Sequence, residues 1–535
     1  MKKRFSILSA GLLFIVALFL GAQLTSVIPG KNILFQVSKF SDVLSNIEKF
    51  YVDTVNTQKL VESAISGMLS DLDPHSVYLT EQQNSVEKER FEGSFQGIGV
   101  EFDVINDTIV VVAPVAGGPS DSLGILAGDK IVKINDTSSI GMTREMVPKK
   151  LKGPKGTHVK VTIFRSGEKD LTDYDITRDN IPIYTIDVAF MVKDDIGYIS
   201  VNRFASTTHN EFMNAVGKLK SRGMKRLVLD LRSNPGGYLD QAFKMADELL
   251  PQGKKVVYTK GRRPEFSEEY VSNGGQYPDV PLVVLVSHGS ASASEIVSGA
   301  IQDWDRGLIV GETTYGKGLV QRQYDLQDKS AFRLTIARYY TPSGRLIQRP
   351  YGKNIDEYNK AAFDRNEAEG ENIEHKEERD SAKPIFKTAS GRTVYGGGGI
   401  TPDYIVKSER PSTLLGQLFA KSVFAQYKTM YMDRIGKQLR RQYEKNFEKF
   451  RSEFSVSNDA VKEFMEFARK KGITQTADEF EKDKAYIRTR VKADVARDLF
   501  GNEGWYPVMR AEDVQVQKAL TLFPEAEKIA GFVNR

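Results

Sequence analysis

Three short apolar runs constrain the fold of this chain more than any other feature of its sequence. They lie at 226–231, 281–286 and 307–310, and apolar residues at helical spacing follow each of the first two runs. Strands that are apolar along most of their length are typical of a parallel sheet covered by helices on both faces. Because parallel strands need crossover connections, we predict a β-α-β core over 182–345.

Composition excludes several function classes. The chain has 535 residues, enough for three or four domains at about 150 residues each. It contains no cysteine, which excludes disulfides, thiolate metal sites and a cysteine nucleophile, and its five histidines include no His-Glu-x-x-His motif. The 75 Lys and Arg residues exceed the 70 Asp and Glu residues by only 5, which indicates no dominant nucleic-acid-binding surface. We therefore expect no metal, no cofactor and no nucleic-acid partner, and hydrolytic chemistry that depends on Ser, Lys, Asp or Glu.

The N-terminus predicts export. Lys2, Lys3 and Arg4 precede an apolar run at 5–22, which is the pattern of a secretory signal. The run is also nearly long enough to span a bilayer. Its cleavage site, Leu-Gly-Ala at 20–22, matches poorly the pattern for signal peptidase, which needs small residues at both key positions. Residues 1–29 are therefore either a cleaved signal peptide or a membrane anchor. Both alternatives place the protein in the periplasm or cell envelope, and the second associates it with the inner membrane.

The next two segments differ in texture. Residues 36–82 show helical periodicity and end in a turn at 71–76, whereas 83–178 contains short β runs separated by glycines. Within the second segment, a Gly-Ile-x-x-Gly-Asp-x-Ile-x-x-Ile-Asn stretch at 124–135 follows the Gly-Ile-Gly-Val run at 97–100. This order strongly resembles a PDZ domain.

The PDZ resemblance implies a peptide-binding site. Gly97, Ile98, Gly99 and Val100 would form the loop that captures the terminal carboxylate of a peptide. Pro148 lies inside the helix that would line the groove, where we expect it to remove a helical hydrogen bond and to kink the helix. A PDZ-like barrel that serves only as a spacer is the alternative interpretation.

The second half of the chain is organised around a predicted core domain at 179–406. A polar stretch at 351–383 interrupts it and is read as a solvated surface insertion. Residues 407–535 are predicted to be a helical C-terminal domain with a long apolar stripe from Tyr431 to Phe454. Such a stripe either packs within its own domain or binds a second copy, an adaptor or the substrate.

Two segments of the core carry candidate chemistry. Ser-Ala-Ser-Ala-Ser-Glu-Ile at 290–296 lies where a strand ends and a helix begins, so free helical amides are available to a developing oxyanion. Gly-Glu-Thr-Thr-Tyr-Gly-Lys-Gly at 311–318 contains the Gly-x4-Gly-Lys of a Walker A motif. Gly318 stands where that motif needs Ser or Thr, and no helix pattern follows, which argues against an ATP site.

A serine and a lysine together suggest a different site. A neutral lysine amine can activate a serine as a nucleophile. Lysine in water is protonated at neutral pH, and burial away from carboxylates favours the neutral amine. Lys317 is flanked by glycines and follows an apolar strand, so we expect it to be buried.

Three motifs occur in order and carry a family resemblance. They are Leu-Asp-Leu-Arg-x-Asn-Pro-Gly-Gly at 229–237, the serine run at 290–296, and Val-Gly-Glu-x3-Gly-Lys-Gly-x2-Gln at 310–321. The chain resembles the carboxyl-terminal processing peptidases, or tail-specific proteases, over roughly 36–345 and 384–406. The resemblance implies an α/β fold class within a multi-domain α+β chain. Its parts would be a crotonase-like β-α-β peptidase core, an inserted PDZ domain and a helical C-terminal region.

The resemblance also implies roles for individual residues. Ser292 would be the nucleophile, Lys317 the base, and Gln321 would orient the lysine. The backbone amides of Ala293 and Gly237 would hold the oxyanion.

Several other polar residues of the motifs have structural interpretations. Ser290 and Ser294 are read as residues that cap the helix start, and Glu295 and Asp303 as structural acids. His288 is a rival base, although no acidic motif that would orient it is recognisable.

Three functions are considered on the sequence, and the third, an ATP-dependent machine, is disfavoured by Gly318. The first is a serine endopeptidase that recognises exposed apolar C-termini through its PDZ domain and cleaves protein substrates nearby. The second is a catalytically inactive relative that serves as a binding module, against which the retention of Ser292, Lys317 and Gln321 argues.

Overall fold

The computed structural model describes residues 30–532 except 353, 366, 376–382, 410, 444, 445 and 475. Residues 1–29, on which the export prediction depends, lie outside this part. No helix within the described residues is both long enough and apolar enough to cross a bilayer. The chain divides into two compact units, 1–78 and 79–535.

The first unit is helical in its described part. It contains α1 (Gly30–Phe50) and α2 (Thr57–Ser70), and strand β1 (Val77–Leu79) begins near its end. Asn56 caps α2 by accepting a hydrogen bond from the Lys59 amide at 2.9 Å. The predicted turn at 71–76 is built around Asp73, whose Oδ1 accepts hydrogen bonds from the amides of His75 and Ser76.

The second unit begins with α3 (Glu81–Glu92), which leads into a small β domain. One sheet of this domain has the order β3-β4-β5-β7-β8, with β6 paired to β5, and β2 pairs separately with β9. Alternating apolar residues such as Ile109, Val111 and Ile131 fill a core beneath this sheet. The elements are β2 (Ser94–Gly97), β3 (Val100–Ile105), β4 (Thr108–Pro114), α4 (Pro119–Ser122), β5 (Lys130–Ile134), β6 (Thr137–Ser138), α5 (Met146–Leu151), β7 (His158–Phe164), β8 (Thr172–Thr177) and β9 (Asp179–Pro182).

The expectation that Pro148 removes a helical hydrogen bond is wrong. Helix α5 begins at Met146, so Pro148 is its third residue. Amides in the first turn of a helix have no partner inside that helix, and a proline there removes no hydrogen bond. Pro148 therefore lies in the first turn of the helix, where a proline is tolerated.

In its described part, the core domain contains a seven-stranded sheet with the order β10-β11-β12-β15-β16-β22-β19. The strands from β11 to β22 run parallel, and β10 and β19 are antiparallel edges. The predicted β-α-β core is therefore present. Its elements up to the third apolar run are β10 (Ile186–Lys193), β11 (Ile196–Val201), α6 (Thr208–Ser221), β12 (Arg226–Asp230), α7 (Leu239–Leu249), β13 (Lys255–Gly261), β14 (Glu269–Val271), β15 (Leu282–Val286), α8 (Ala293–Asp303) and β16 (Leu308–Gly311).

A second sheet supports the core from the side of helix α8. Strand β18 (Ala331–Tyr340) pairs with both β17 (Leu319–Asp325) and β13, and β13 pairs with β14. The β17–β18 hairpin follows directly on the segment that contains Lys317. The position of Lys317 therefore depends on how this hairpin packs.

The polar stretch at 351–383, expected to be a solvated surface insertion, contains regular structure and buried residues where it is described. It forms α9 (Ile355–Phe363), in which Tyr358 and Ala362 are buried, and β19 (Gly370–Glu371). Strand β19 extends the main sheet by pairing with β22 (Tyr404–Ile405). The hairpin of β20 (Ile385–Lys387) and β21 (Thr393–Tyr395) follows.

The C-terminal helices form two groups. The first buries an apolar cluster that includes Leu439, Tyr443, Phe450 and Phe454, so the predicted stripe packs within its own domain. The second group packs on the face of the main sheet opposite α7 and α8. The first group comprises α10 (Thr413–Ala420), α11 (Val423–Tyr443), α12 (Phe447–Glu453), α13 (Asn458–Lys470) and α14 (Ala477–Phe500), and the second α15 (Asn502–Arg510), α16 (Val514–Thr521) and α17 (Phe523–Ile529).

Together these elements confirm the predicted fold class, a mixed α/β chain with a PDZ-type domain and a helical C-terminal region. The main sheet is covered by helices on both faces, as its apolar strands required. The carboxyl ends of its parallel strands present the two motif-bearing turns, after β12 and after β15.

Candidate active site

Ser292 occupies a strained position between β15 and α8. Its backbone has φ 54° and ψ −110°, a conformation that residues other than glycine rarely adopt. Such strain costs about 1–3 kcal/mol and persists only where the surroundings fix it. The turn therefore presents the serine at the start of a helix, as the motif predicted.

The neighbouring turn after β12 is fastened to the serine turn. The carbonyl of Asn234 accepts hydrogen bonds from the Ala291 amide and from Ser294 Oγ, both at 3.0 Å. A Cβ on Gly236 would lie 2.8 Å from the Cβ of Ser292, so no larger residue fits between the turns. The structure thus brings the Asn-Pro-Gly-Gly turn directly against the serine.

The two amides predicted to hold an oxyanion are available. Within the described residues, neither the Ala293 amide nor the Gly237 amide donates a hydrogen bond. Gly237 has φ 150°, and a Cβ there would lie 1.9 Å from the carbonyl oxygen of Phe204. Glycine is therefore required to turn the chain at this point.

Lys317 lines the same cleft as Ser292. The cleft has a volume of about 560 Å³ and also contains Gln321 and Gly237. Lys317 Nζ donates a hydrogen bond to Gln321 Oε1 at 2.8 Å. The three residues predicted as nucleophile, base and orienting group therefore line one cleft and come from two segments of the core, the turn before α8 and the stretch that leads into β17.

A buried carboxylate connects the serine and lysine segments. Glu295 Oε2 accepts hydrogen bonds from the amides of Ser292 at 2.8 Å and Lys317 at 2.9 Å. Its Oε1 accepts from the Gly316 amide at 2.6 Å and from Thr314 Oγ1 at 2.5 Å. Burial raises the pKa of Glu295, and these donors oppose that shift. Glu295 therefore has a structural role, as expected, and this role is to hold the Ser292 and Lys317 segments together.

Asp303, the other acidic residue of the motif region, lies at the far end of α8. It pairs with the buried Arg345 and accepts a hydrogen bond from the Ser343 amide at 2.9 Å. These contacts fix the end of α8 to the loop after β18, which fits the structural role that we expected.

The flanking serines have structural roles that differ from capping. Ser290 Oγ donates to the carbonyl of Leu231 at 2.7 Å, and Ser294 Oγ donates to the carbonyl of Asn234. Both side chains are buried. They tie the serine turn to the end of β12 instead of capping α8.

His288 faces a different cavity from Ser292. Its Nδ1 lies 2.8 Å from the Thr313 carbonyl oxygen, and its Nε2 lies 4.0 Å from Glu312 Oε1. It lines a second cavity of about 590 Å³, and Ser292 is not among the residues of that cavity. This geometry argues against His288 as the base for Ser292.

Two features of the site escaped the sequence interpretation. A Ser followed three residues later by Glu at a helix start is a capping-box pattern, which could have revealed the contact between Glu295 and Ser292. Tyr339 Oη lies 3.1 Å from the Ser292 carbonyl oxygen and 2.5 Å from that of Lys317. No motif pointed to this tyrosine.

The predicted carboxylate-binding loop lies between β2 and β3. The carbonyl of Ile98 accepts from Ser120, and that of Gly99 accepts from the Val115 amide at 2.9 Å. The amides of Ile98 and Gly99 donate no hydrogen bond within the part of the chain that is described. Val100 begins β3, which is an edge strand of its sheet in that same part. Gly97, at the end of β2, completes the loop.

Family comparisons match four parts of the chain. The model of peptidase family S41 matches residues 195–356, and a PDZ domain model matches 96–176. The model of the activating protease CtpB N-terminal domain matches 24–83. A family of unknown function matches 414–501, which covers the first group of C-terminal helices.

Curated proteins show the same similarity. The carboxy-terminal-processing protease of Bartonella bacilliformis is 38% identical over 344 residues, which cover 63% of this chain and 79% of that protein. A probable CtpA-like serine protease of Staphylococcus aureus is 36% identical over 321 residues, 60% of this chain and 63% of the relative, somewhat less than two thirds of its length. Among solved structures, a photosystem II D1 C-terminal processing protease is 29% identical, with 58% of this chain and 89% of that chain covered and a TM-score of 0.33.

Proposed function

The chain belongs to the carboxy-terminal-processing proteases, serine-type peptidases of family S41 that carry a PDZ domain, and we propose that it cleaves protein substrates through a dyad of Ser292 and Lys317. The observation that carries this proposal is the shared cleft. Ser292 stands there on a strained turn, and Lys317 Nζ is oriented by Gln321.

The proposed reaction begins with proton transfer from Ser292 Oγ to the neutral amine of Lys317. The serine oxygen attacks the carbonyl carbon of the scissile bond, and the electron pair of the carbonyl moves to its oxygen. The amides of Ala293 and Gly237 stabilise this oxyanion. Lys317 then gives the proton to the departing amine, and water hydrolyses the acyl-enzyme by the same steps.

Lys317 is half-buried, less than the sequence predicted, and its contacts support its role as a base. Its Nζ donates to an uncharged amide oxygen, that of Gln321, which orients the amine without adding the negative charge of a carboxylate. Glu295 is close to Ser292 in sequence. Its two carboxylate oxygens accept hydrogen bonds from main-chain amides and from the Thr314 hydroxyl. Glu295 can thus fix the backbone of Ser292 and Lys317 through hydrogen bonds to their main-chain amides.

The PDZ domain is proposed to select substrates by their free, apolar C-termini. The amides of Ile98 and Gly99 suit a carboxylate, and β3, an edge strand of its sheet among the described residues, suits an added peptide strand. Engagement of the domain is proposed to help activate the peptidase. This would require the peptide to bind the active arrangement better than the resting one.

We also propose that the protein works outside the cytoplasm, in the periplasm or cell envelope. Support comes from the basic start at residues 2–4, the apolar run at 5–22 and the absence of cysteine. Fractionation of cells that produce the full chain, with and without residues 1–29, tests this proposal. Recovery of the full chain in the cytoplasm would contradict it.

The central experiment incubates residues 30–535 with an unfolded protein, beside the Ser292→Ala variant. We expect fragments from the first protein and none from the second. Equal cleavage by both would show that another residue or a contaminant is responsible. Failure of the unaltered protein to cleave, with peptide C-termini still bound, would favour the inactive binding module.

A further inference from the structure

Tyr339 contacts the main chain of both members of the proposed dyad. It lies near the end of β18 and is 1% exposed. Its hydroxyl is 3.1 Å from the Ser292 carbonyl oxygen and 2.5 Å from the Lys317 carbonyl oxygen. Its own amide donates to the Gly318 carbonyl at 3.0 Å, which fixes the tyrosine backbone beside the lysine segment.

The contacts of Tyr339 complement those of Glu295. Glu295 accepts from the amides of Ser292 and Lys317, whereas the tyrosine hydroxyl reaches the carbonyls of the same two residues. Each dyad residue is therefore held at its amide and at its carbonyl. Ser292 and Lys317 lie 25 positions apart, before α8 and before β17, so their separation depends on contacts of this kind.

We propose that Tyr339 is a positioning residue of this peptidase, whose hydroxyl sets the separation between Ser292 Oγ and Lys317 Nζ. The inference rests on the proposed dyad. The inference extends the dyad by one residue, Tyr339, which lies outside all three sequence motifs. Tyr339 lines the same cleft as Ser292 and Lys317, and its hydroxyl contacts the backbone carbonyls of these two residues, through which it acts.

The state of the hydroxyl fits this role. Burial, together with the nearby Glu295, raises the pKa of Tyr339 well above its ordinary value. The group therefore remains a neutral hydrogen-bond donor over the whole range in which a peptidase would be assayed. The carbonyl oxygens of Ser292 and Lys317 share this one hydroxyl donor. Removal of the hydroxyl therefore removes a hydrogen bond from both carbonyls.

The neighbouring residue provides a matched control. Tyr340 follows on the same strand, and its ring stacks on that of Tyr258 with centroids 5.0 Å apart. Successive side chains of a strand point to opposite faces, so its hydroxyl is directed away from the dyad. Tyr340→Phe removes the same atom from the same strand without touching Ser292 or Lys317.

The test compares the full-length protein with its Tyr339→Phe and Tyr340→Phe variants. We measure kcat and KM on an unstructured peptide, the pH profile of kcat/KM, and the rate at which a fluorophosphonate labels Ser292. We expect Tyr339→Phe to lower kcat and the labelling rate by about 10- to 100-fold, because small misplacements of reacting groups have effects of this size. KM should remain unchanged, the pH midpoint should move by about 0.5 unit or more, and Tyr340→Phe should behave as the unaltered protein.

A purely structural role predicts a different pattern. It would lower the thermal unfolding midpoint and leave kcat, measured well below that midpoint, within about twofold of the unaltered protein. That result, or equal losses in the two variants, would overturn the proposal. If Tyr339→Phe does not fold, 4-aminophenylalanine at position 339 keeps a donor at the same place. A folded but slow 4-aminophenylalanine variant would then also overturn it.

The experiment separates this inference from the proposed function. If the unaltered protein neither cleaves the peptide nor reacts with the fluorophosphonate, or if Ser292→Ala does both, the dyad itself is wrong. If the unaltered protein is active and Ser292→Ala is not, the comparison of Tyr339→Phe with Tyr340→Phe decides the role of the tyrosine alone.

Discussion

The side chain of Glu295 is joined to the main-chain amide of Lys317 by a hydrogen bond of 2.9 Å. The same oxygen accepts the amide of Ser292 at 2.8 Å. A single buried carboxylate therefore spans the two segments on which the proposed chemistry depends. Both of these hydrogen bonds are donated by backbone amides, so neither bond uses the side chain of Ser292 or of Lys317.

Replacement of this carboxylate by an amide should disable the site. In Glu295→Gln, an NH2 group replaces one acceptor oxygen and faces a main-chain N–H. We expect kcat/KM to fall by about 100-fold, since the misplacement of reacting groups has effects of this order. Stability should fall by about 1–3 kcal/mol, the cost of an unsatisfied buried donor. Peptidase kinetics and thermal unfolding measure the two effects.

Glu312→Gln is the matched control for Glu295→Gln. Glu312 is also largely buried, but it accepts hydrogen bonds from Ser408 and lines the cavity that contains His288. Its variant should keep kcat/KM within about threefold of the unaltered protein, as expected away from the reacting groups. A Glu295→Gln enzyme as active as Glu312→Gln would contradict the bridging role.

The dyad itself predicts a non-additive mutant series. Ser292→Ala and Lys317→Ala should each reduce kcat by about 10⁴-fold or more, and the double variant should be no worse than either. Lys317→Arg should also be inactive, because a guanidinium stays charged and accepts no proton. Ser294→Ala, which loses only a bond to the Asn234 carbonyl, should retain substantial activity. Single-turnover assays on one peptide measure all five proteins, and a double variant far slower than both single variants would argue that the residues act independently.

Local sequence predicted the site better than it predicted the packing around it. The apolar runs correspond to β12, β15 and β16 within one residue at either end, because continuous burial leaves a direct mark on composition. The motif turns then follow at the carboxyl ends of these strands. Pro148 was misjudged because helix boundaries are weakly marked, and two residues separate a tolerated proline from a disruptive one.

Contacts between distant segments could not be predicted in this way. Tyr339 reads as one more aromatic residue in an alternating strand, and its bond to Ser292 spans 47 positions. The periodicity of α16 and α17 shows an apolar face but not its partner. In the structure that partner is the main sheet, so these helices complete the peptidase core. An amphipathic pattern shows that one face of a helix is buried, but it does not show which surface covers that face.

The carboxylate-binding role of the 97–100 loop predicts a contrast between two glycines. Gly99 and Gly117 have φ of +75° and +72°, so the backbone strain of alanine is similar at both, although a Cβ on Gly99 would also lie 3.1 Å from Ile181 Cδ1 and one on Gly117 would meet nothing within 4 Å. Gly99→Ala should weaken the binding of a peptide that ends in Val-Ala by about tenfold, or about 1.4 kcal/mol, whereas Gly117→Ala should not. Fluorescence anisotropy with the free and the amidated peptide measures this. Equal affinity for the two peptides would show that the loop does not recognise a carboxylate.

Acid should weaken the core through Asp403. Burial favours the protonated form, but Arg392 and His375 outweigh it and lower the pKa of Asp403 to about 2, against an ordinary 3.8. A lowered pKa means that the ionised form stabilises the fold above about pH 4, and that this contribution is lost as the pH falls toward 2. We expect a loss of about 2 kcal/mol between pH 5 and pH 2 that Asp403→Asn does not show. Urea unfolding, followed by Trp304 fluorescence in a Trp505→Phe background, measures it, and parallel pH curves for the two proteins would contradict the assignment.

Phe523 should be essential to the stability of the core, although it lies near the C-terminus. It is 2% exposed and packs with Val283, Leu285 and Val310 on the face of the main sheet. Phe523→Ala should therefore lower the free energy of unfolding by about 3–5 kcal/mol, the usual result for a buried phenylalanine. Val514→Ala, a truncation at a 40% exposed position on α16, should cost less than about 0.5 kcal/mol.

Urea unfolding of the two variants, again followed by Trp304 fluorescence, distinguishes a cover of the core from an independent appendage. Trp304 lies at the end of α8, and its Nε1 donates to the Lys255 carbonyl, so its fluorescence reports on the core and not on the C-terminal helices. If α17 completes the core, the Trp304 transition moves to lower urea in Phe523→Ala and stays in place in Val514→Ala. An unchanged Trp304 transition in Phe523→Ala would mean that the sheet keeps its fold without this contact, and that the last helices are dispensable to the peptidase.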